Sequence, residues 1–517
     1  MPAKIQSITA TGLNCDLIDV EADISRGLSS FKIVGLGDIS VQESKERVRS
    51  AIKNSGLKYP IEKKTVNLAP AELKKQGSNF DLPIAIALLA ASNQVSLDRL
   101  EDAIVIGELA LNGEIKPIKG ILPITNAAKE KGFKKVFLPK ENVVEASLVE
   151  GIEIFGLDSL QKFIDFCQGR NEIHKIVGEG LKNYEPAQPT ESFQDETTFS
   201  QIYGLENAKR ALIIAATGGH NVLLRGAPGG GKTVLARAFK NILPQMTEEE
   251  VVEVTKIYSI TGRLPKDVPL ITQRPFREVH HTASKIAIVG GGNNIKPGEI
   301  TLANRGVLFL DEITEFPRDV LEVLRQPLED GYININRANS TQTFPAKFTL
   351  IAAMNNCPCG HFTVKNKTCR CTPKQIKKYQ NKISGPLLDR FDIFIDVPQI
   401  SIKSFLDDES QKQETEIKQK ISTANNHQQT RYKTLPVNSN SELSAEQIKH
   451  FCALTKKAKS ILDTAASSLS LSNRGYLKTI KVAQTIADLE AASHERTPTE
   501  ITESHILEAI QYRNKLT

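Results

Sequence analysis

The run Gly226-Ala227-Pro228-Gly229-Gly230-Gly231-Lys232-Thr233 is the feature that most restricts what this chain can fold into. It matches G-x-x-x-x-G-K-[ST], and it stands between a strand-like run, Val222-Leu-Leu, and a helix-like one, Val234-Leu-Ala-Arg-Ala-Phe. Glycines at this spacing let backbone N–H groups point at phosphates, Lys232 meets the β- and γ-phosphates, and Thr233 supplies a ligand to Mg²⁺. The loop therefore predicts an α/β unit that holds ATP with Mg²⁺.

Further along, the apolar run Val307-Leu-Phe-Leu ends in Asp311 and Glu312, two carboxylates at the C-terminal end of a buried strand. Asp311 is then the Mg²⁺-associated carboxylate and Glu312 the group that orients or deprotonates water. Asn355 ends another apolar strand, where a polar side chain can sense the γ-phosphate. The stretch Ser384-Gly-Pro-Leu-Leu-Asp-Arg390-Phe-Asp puts an arginine on a turn, from which it can reach a neighbouring subunit's nucleotide. The alternative for Arg390 is an ion pair with Asp389, Asp392 or Asp396.

With 517 residues, 40% of them hydrophobic and 24% charged, the chain reads as an ordinary globular protein of several domains. Residues 1–180 alternate strand-like and helical patterns, among them a helix starting at Asp81 with proline in its first turn. A linker rich in Pro, Gln, Glu and Thr spans 181–199, and the P-loop unit covers 200–400. A polar helical connector with a solvated face follows over 401–436, then a helical domain over 437–517 that is nearly free of Gly and Pro. The N-terminus lacks an apolar leader and no run approaches the length of a membrane span, so the cytoplasm is the expected location and no membrane contact is expected. A net charge of +6, from 66 basic and 60 acidic residues, is compatible with a polyanionic partner without demanding one.

Four of the seven cysteines, Cys357, Cys359, Cys369 and Cys371, crowd into C-x-C-x₉-C-x-C directly after the Asn355 strand. Four thiolates on two short turns can enclose a structural Zn²⁺, with His361 able to substitute for one. The competing reading is four reduced, non-ligating thiols, because metal-binding pairs more commonly have two or more residues between ligands.

Three long strings carry a resemblance: Pro275-Phe-Arg-Glu-Val-His280-His281-Thr-Ala-Ser, Pro297-Gly-Glu-Ile-Thr-Leu-Ala-Asn-Arg-Gly-Val-Leu-Phe-Leu-Asp-Glu312, and Leu387-Leu-Asp-Arg-Phe-Asp. With these the chain resembles the AAA+ ATPases, and within them the magnesium-chelatase-like branch and its ComM/YifB family of bacterial competence-associated helicases. The resemblance implies an AAA+ α/β core with an α-helical lid, sensor roles for Asn355 and Arg474, an arginine-finger role for Arg390, and a ring, most often a hexamer, of identical subunits. It also implies that an insert at 290–299 and a hairpin at 332–344 line a central pore, which makes Lys296, Arg337 and Lys347 candidates for DNA phosphate contacts. Solvated surface cations are the alternative for each of the three.

Residues Thr65 to Ala91 and Gly107 to Asn142 resemble the S5-like, α+β fold of Lon protease domains. Where that family carries its serine and lysine, this chain has Ile84 and Leu122. Neither side chain can attack a carbonyl or move a proton, so no peptidase activity is expected. The resemblance implies an ATP-driven motor on branched or single-stranded DNA, a helicase or branch-migration factor in recombination during natural transformation. A chelatase-like metal-insertion or protein-remodelling subunit is the second reading.

Overall fold

A computed structural model describes residues 2–73, 75, 77–180, 198–202, 204–265, 269–292, 295–337, 340–362, 368–398, 410–493 and 500–513. Two compact units emerge: residues 1–187 together with 248–271, and residues 188–247 together with 272–517. The expected linker at 181–199 lies almost wholly outside the described residues.

The first unit carries two mixed sheets. Strands β1 (Ala3–Thr11), β2 (Asn14–Ser25), β3 (Ser30–Val34) and β4 (Lys63–Ala69) are ordered β1-β2-β4-β3, with β3 and β4 parallel and the other pairs antiparallel. Strands β5 (Ala103–Val105), β6 (Lys135–Pro139), β7 (Glu153–Leu157) and β8 (Lys175–Val177) form the second, where β5, β6 and β7 are parallel. Between α1 (Ile39–Asn54) and α3 (Ile121–Glu130) comes α2 (Asp81–Ala91), whose sequence is apolar all round and whose residues are almost all buried. An all-apolar helix has no face to offer water, so it serves as the hub of this core. Asp81 at its start is the exception. Arg47 and Ser44 of α1 both bind its buried carboxylate.

Ile84 and Leu122 sit fully enclosed in α2 and α3. Leu122 donates its backbone N–H to Glu145 (2.9 Å), a carboxyl that burial pushes up. Glu145 also accepts from Ser259 at 2.5 Å. Ser259 belongs to the helix Glu248–Thr261, which follows the P-loop in sequence yet packs on α3 in the first unit. The P-loop unit expected over 200–400 is thus interrupted by a segment whose apolar side chains Val251, Val254 and Ile257 are buried in the other unit.

The second unit is built on a five-stranded, all-parallel sheet. Its strands are β9 (Val222–Gly226), β10 (Phe276–Val279), β11 (Val307–Leu310), β12 (Thr349–Met354) and β13 (Ile393–Val397), ordered β10-β11-β12-β9-β13. The inner strands are continuous apolar runs because both faces are covered, by α4 (Glu206–Gly218) and α5 (Lys232–Phe239) among others. The helical part includes α6 (Ser410–Arg431), α7 (Asn473–Ser493) and α8 (Glu503–Gln511). Helix α6 is more than a solvated connector. Ile421, Ala424 and Gln428 are fully enclosed, Gln428 donates to the Thr217 carbonyl (3.1 Å), and Arg431 pairs with buried Asp488 of α7.

Fully buried His220 couples the sheet to α7, sharing a hydrogen bond with Thr485 (2.8 Å). Burial pushes its pKa down to about 4 from 6.5, against the pull of Asp392 and with help from Lys481 and Lys478. The folded chain therefore refuses a proton that the unfolded chain accepts. Stability should fall as pH drops from about 6.5 to about 4, by on the order of 3 kcal/mol from this group. Asp392, held down to about 2, loses its contribution only below its unfolded value of 3.8. Thermal melting across pH 7.5 to 4.5 should show a shallower decline in His220→Gln than in the natural chain.

Candidate active site

The site forms where β9, β11 and β12 end side by side. Gly226 closes β9 against β13 so tightly that a Cβ there would lie 2.3 Å from the Val397 carbonyl oxygen, which leaves glycine as the residue that fits. Gly229 and Gly231 take positive φ (73° and 86°), turning the chain back so that α5 opens at Lys232 with its free N–H groups facing the loop.

Lys232 is buried and donates to the Gly226 and Ala227 carbonyls (2.9 Å each) and to Asn355 Oδ1 (3.1 Å). Burial pushes its ammonium down, with Asp311 and Glu312 opposing. The Thr233 hydroxyl donates to Asp311 Oδ2 at 2.7 Å, so these two oxygens adjoin as ligands of one Mg²⁺ would. Glu312 follows in left-handed backbone (φ 50°), a strained conformation for a non-glycine residue, with its N–H donating to Asp311 Oδ1 (2.9 Å). Its side chain is exposed at the mouth of the site. Lys232, Thr233, Asp311, Glu312 and Asn355 thus gather at one edge of the sheet.

Arg390 does not join them. It lies just before β13, whose residues pair in parallel register with β9 from Val222↔Ile393 to Gly226↔Val397. Asn221, immediately before β9, donates its side-chain N–H to the Arg390 carbonyl (3.1 Å), accepts from Leu350 N–H (2.7 Å) and gives its backbone N–H to Asp392 (2.8 Å). Arg390 is pinned at the N-terminal edge of the sheet, while the P-loop leaves the C-terminal edge. The five residues of β13 span roughly 16 Å, more than an extended arginine side chain bridges. Its carboxylate partner is Glu329, in place of Asp389, Asp392 or Asp396. Asp392 instead pairs with Lys478 (2.9 Å) and Asp396 with Arg225 (3.1 Å). Arg474, in the first turn of α7, also pairs with Glu329. Neither Asn221 nor Glu329 carries a motif that would have marked it in the sequence.

Of the pore candidates, exposed Lys296 lies in a short hairpin pairing Gly290–Gly291 with Lys296–Pro297. Arg337 ends the first strand of the hairpin Tyr332–Arg337/Ser340–Pro345, and its side chain lies outside the described residues. Lys347 stands apart from that hairpin's tip, at its base, 4.0 Å from Glu442 of the helical part.

The four clustered cysteines come together. Cys357, Cys359 and Cys369 sulfurs are 3.4 to 3.7 Å apart, and all four lie within 4.8 Å of one another. Zn–S bonds of about 2.3 Å place tetrahedral sulfurs about 3.8 Å apart, so the donor set fits zinc. His361 is not part of the set. The backbone N–H groups of His361 and Arg370 hold the Cys359 thiol well below its ordinary value, whereas burial and the neighbouring sulfurs hold Cys369 and Cys371 above theirs. The knuckle also touches the P-loop: a Cβ on Gly360 would lie 2.5 Å from Pro228 Cδ. The purified chain should hold about one zinc, and less than about half an equivalent would reject the site. Cys369→Ser should lose that zinc and, through the Gly360–Pro228 contact, weaken binding of a fluorescent ATP analogue several-fold.

Comparison with known proteins gives three family matches: magnesium chelatase, subunit ChlI, over residues 198–405; subunit ChlI of Mg-chelatase over 20–142; and the subunit ChlI C-terminal family over 411–513. The chain is 40% identical to competence protein ComM of Haemophilus influenzae, covering 99% of this chain and 97% of that protein. It is 39% identical to protein YifB of Escherichia coli, over 98% and 96% respectively. Lon protease 2 of Bacillus subtilis is 28% identical over 29% of each chain.

Proposed function

The chain belongs to the ComM/YifB family of magnesium-chelatase-like AAA+ proteins, and from that membership we propose an ATP-hydrolysing motor that works as a ring on branched or single-stranded DNA. The observation that carries the ring is the position of Arg390, one sheet length away from its own P-loop. In this reading Lys232 and the loop amides hold the β- and γ-phosphates, while Thr233 and Asp311 hold Mg²⁺. Glu312 aligns the attacking water, and Asn355, hydrogen-bonded to Lys232, registers the γ-phosphate. Arg390 of one copy meets the charge that develops on the phosphate held by the next. Residues 1–180, completed by 248–271, act as an S5-like, Lon-like domain without its cleavage chemistry, and Cys357, Cys359, Cys369 and Cys371 would hold a zinc that stiffens the knuckle against the P-loop.

Support for DNA as the substrate comes from the competence protein to which the chain is so similar, and from exposed Lys296 on its short hairpin. The chelatase families that match along the chain keep a second reading in view, ATP-driven metal insertion or protein remodelling. One experiment separates the two. The natural chain should move a synthetic four-way DNA junction when ATP is hydrolysed, and Glu312→Gln should not; absence of ATP-dependent movement in the natural chain would defeat the DNA reading.

Arg390→Ala should bind an ATP analogue with near-natural affinity while hydrolysis falls about 100-fold or more. Loss of binding itself would show that the arginine serves its own chain's site.

A further inference from the structure

We propose that Glu329 is a positioning residue that gathers Arg390 and Arg474 into one two-guanidinium clamp, shaped for the polyphosphate of a nucleotide held by a neighbouring copy of this chain; this rests on the ring reading above. Glu329 lies in the helix Arg325–Asp330, and its half-exposed carboxylate uses both oxygens, Oε2 accepting from Arg390 and Oε1 from Arg474. The partners are 61 and 145 positions away in sequence, so the junction is made by the tertiary fold and not by a local turn.

Its surroundings explain why the two arginines are the cations that remain for a ligand. Lys478, one turn beyond Arg474, is committed to Asp392 at 2.9 Å, and Arg513 donates to the Asp392 carbonyl at 3.0 Å. Arg390 and Arg474 share the one carboxylate of Glu329. Arg390 is almost wholly enclosed, with Nη1 on the Pro386 carbonyl (3.1 Å) and Nε without a hydrogen-bond partner, whereas Arg474 is half exposed. Two guanidinium groups repel each other, and a carboxylate between them offsets that repulsion and fixes their spacing. A pair of forked donors side by side, one enclosed and one half exposed, matches phosphate oxygens in geometry and sign.

The ligand has to come from outside. Arg390 stands at the sheet edge opposite the P-loop, and Arg474 is tied to it through Glu329. Glu329 has both carboxylate oxygens on the arginines, so it acts through them. Its removal therefore slows hydrolysis in the site that the arginines enter, not in the P-loop of its own chain.

Co-expressed Lys232→Ala and Arg390→Ala subunits test this, because the first lacks a working P-loop but supplies arginines and the second does the reverse. The mixed assembly should hydrolyse ATP although neither variant does alone. Adding Glu329→Gln to the Lys232→Ala subunit should lower that rate about 10-fold, and Glu329→Asp in the same place should recover part of it. Glu329→Gln added to the Arg390→Ala subunit should leave the rate within about two-fold. Equal losses in both placements would mark Glu329 as merely structural and overturn the proposal, as would no loss in either. A parental mixture that stays inactive would overturn the shared-site reading itself, and this proposal with it. Binding of a fluorescent ATP analogue by Glu329→Gln alone, at natural affinity, shows that the variant is folded.

Discussion

The parallel pairing of β9 with β13 is the constraint from which the site follows. Parallel strands enter by one edge of a sheet and leave by the other, and here the register is locked at both ends. At the exit, Gly226 admits the Val397 carbonyl where any side chain would collide. At the entrance, the Asn221 side chain binds Arg390 and Leu350 while its backbone N–H binds Asp392, so one residue joins three strands. The phosphate-binding loop and the arginine turn are consequently fixed at opposite edges. No rotamer change brings them together, and chemistry that needs both requires a second chain.

The catalytic edge is itself a hydrogen-bonded circuit. Lys232 bridges loop carbonyls and Asn355, Thr233 bonds Asp311, and Asp311 bonds the Glu312 amide. From Asn355 the chain needs only five more residues to reach Gly360, which lies against Pro228 of the same loop. The tip of β12 and the phosphate loop are therefore two ends of one short closed path through the cysteine knuckle, and a metal in that knuckle would stiffen the path.

The parts legible in the sequence were those written in local patterns. The strand–loop–helix around Lys232, the carboxylates ending β11 and the apolar helix at Asp81 all follow from spacing and punctuation. The four cysteines were legible as a cluster because two turns suffice to converge them. The long hairpin of β1 and β2 carries a weaker signal, its alternation softened by polar residues buried on one face, such as Ser7 and Thr9. Glu329 was illegible because a lone glutamate signals nothing until the fold brings residues 61 and 145 positions away to its two oxygens. The buried face of α6 was obscured by the many polar residues around Ile421 and Ala424, and Gln428 gave no hint that its amide would satisfy a buried carbonyl.

The helix Glu248–Thr261 has a consequence for the order in which the protein is made. The first unit owes Val251, Val254, Ile257 and the Ser259–Glu145 hydrogen bond to a segment translated some sixty residues after the rest of that unit. A ribosome that has finished residue 187 has not yet supplied this last piece of the core. The segment becomes available only after the P-loop strand and its helix have also emerged, so the first unit is completed while the second is already under way. The first 187 residues are thus an unfinished object, and the chain passes between units twice before the first of them is complete.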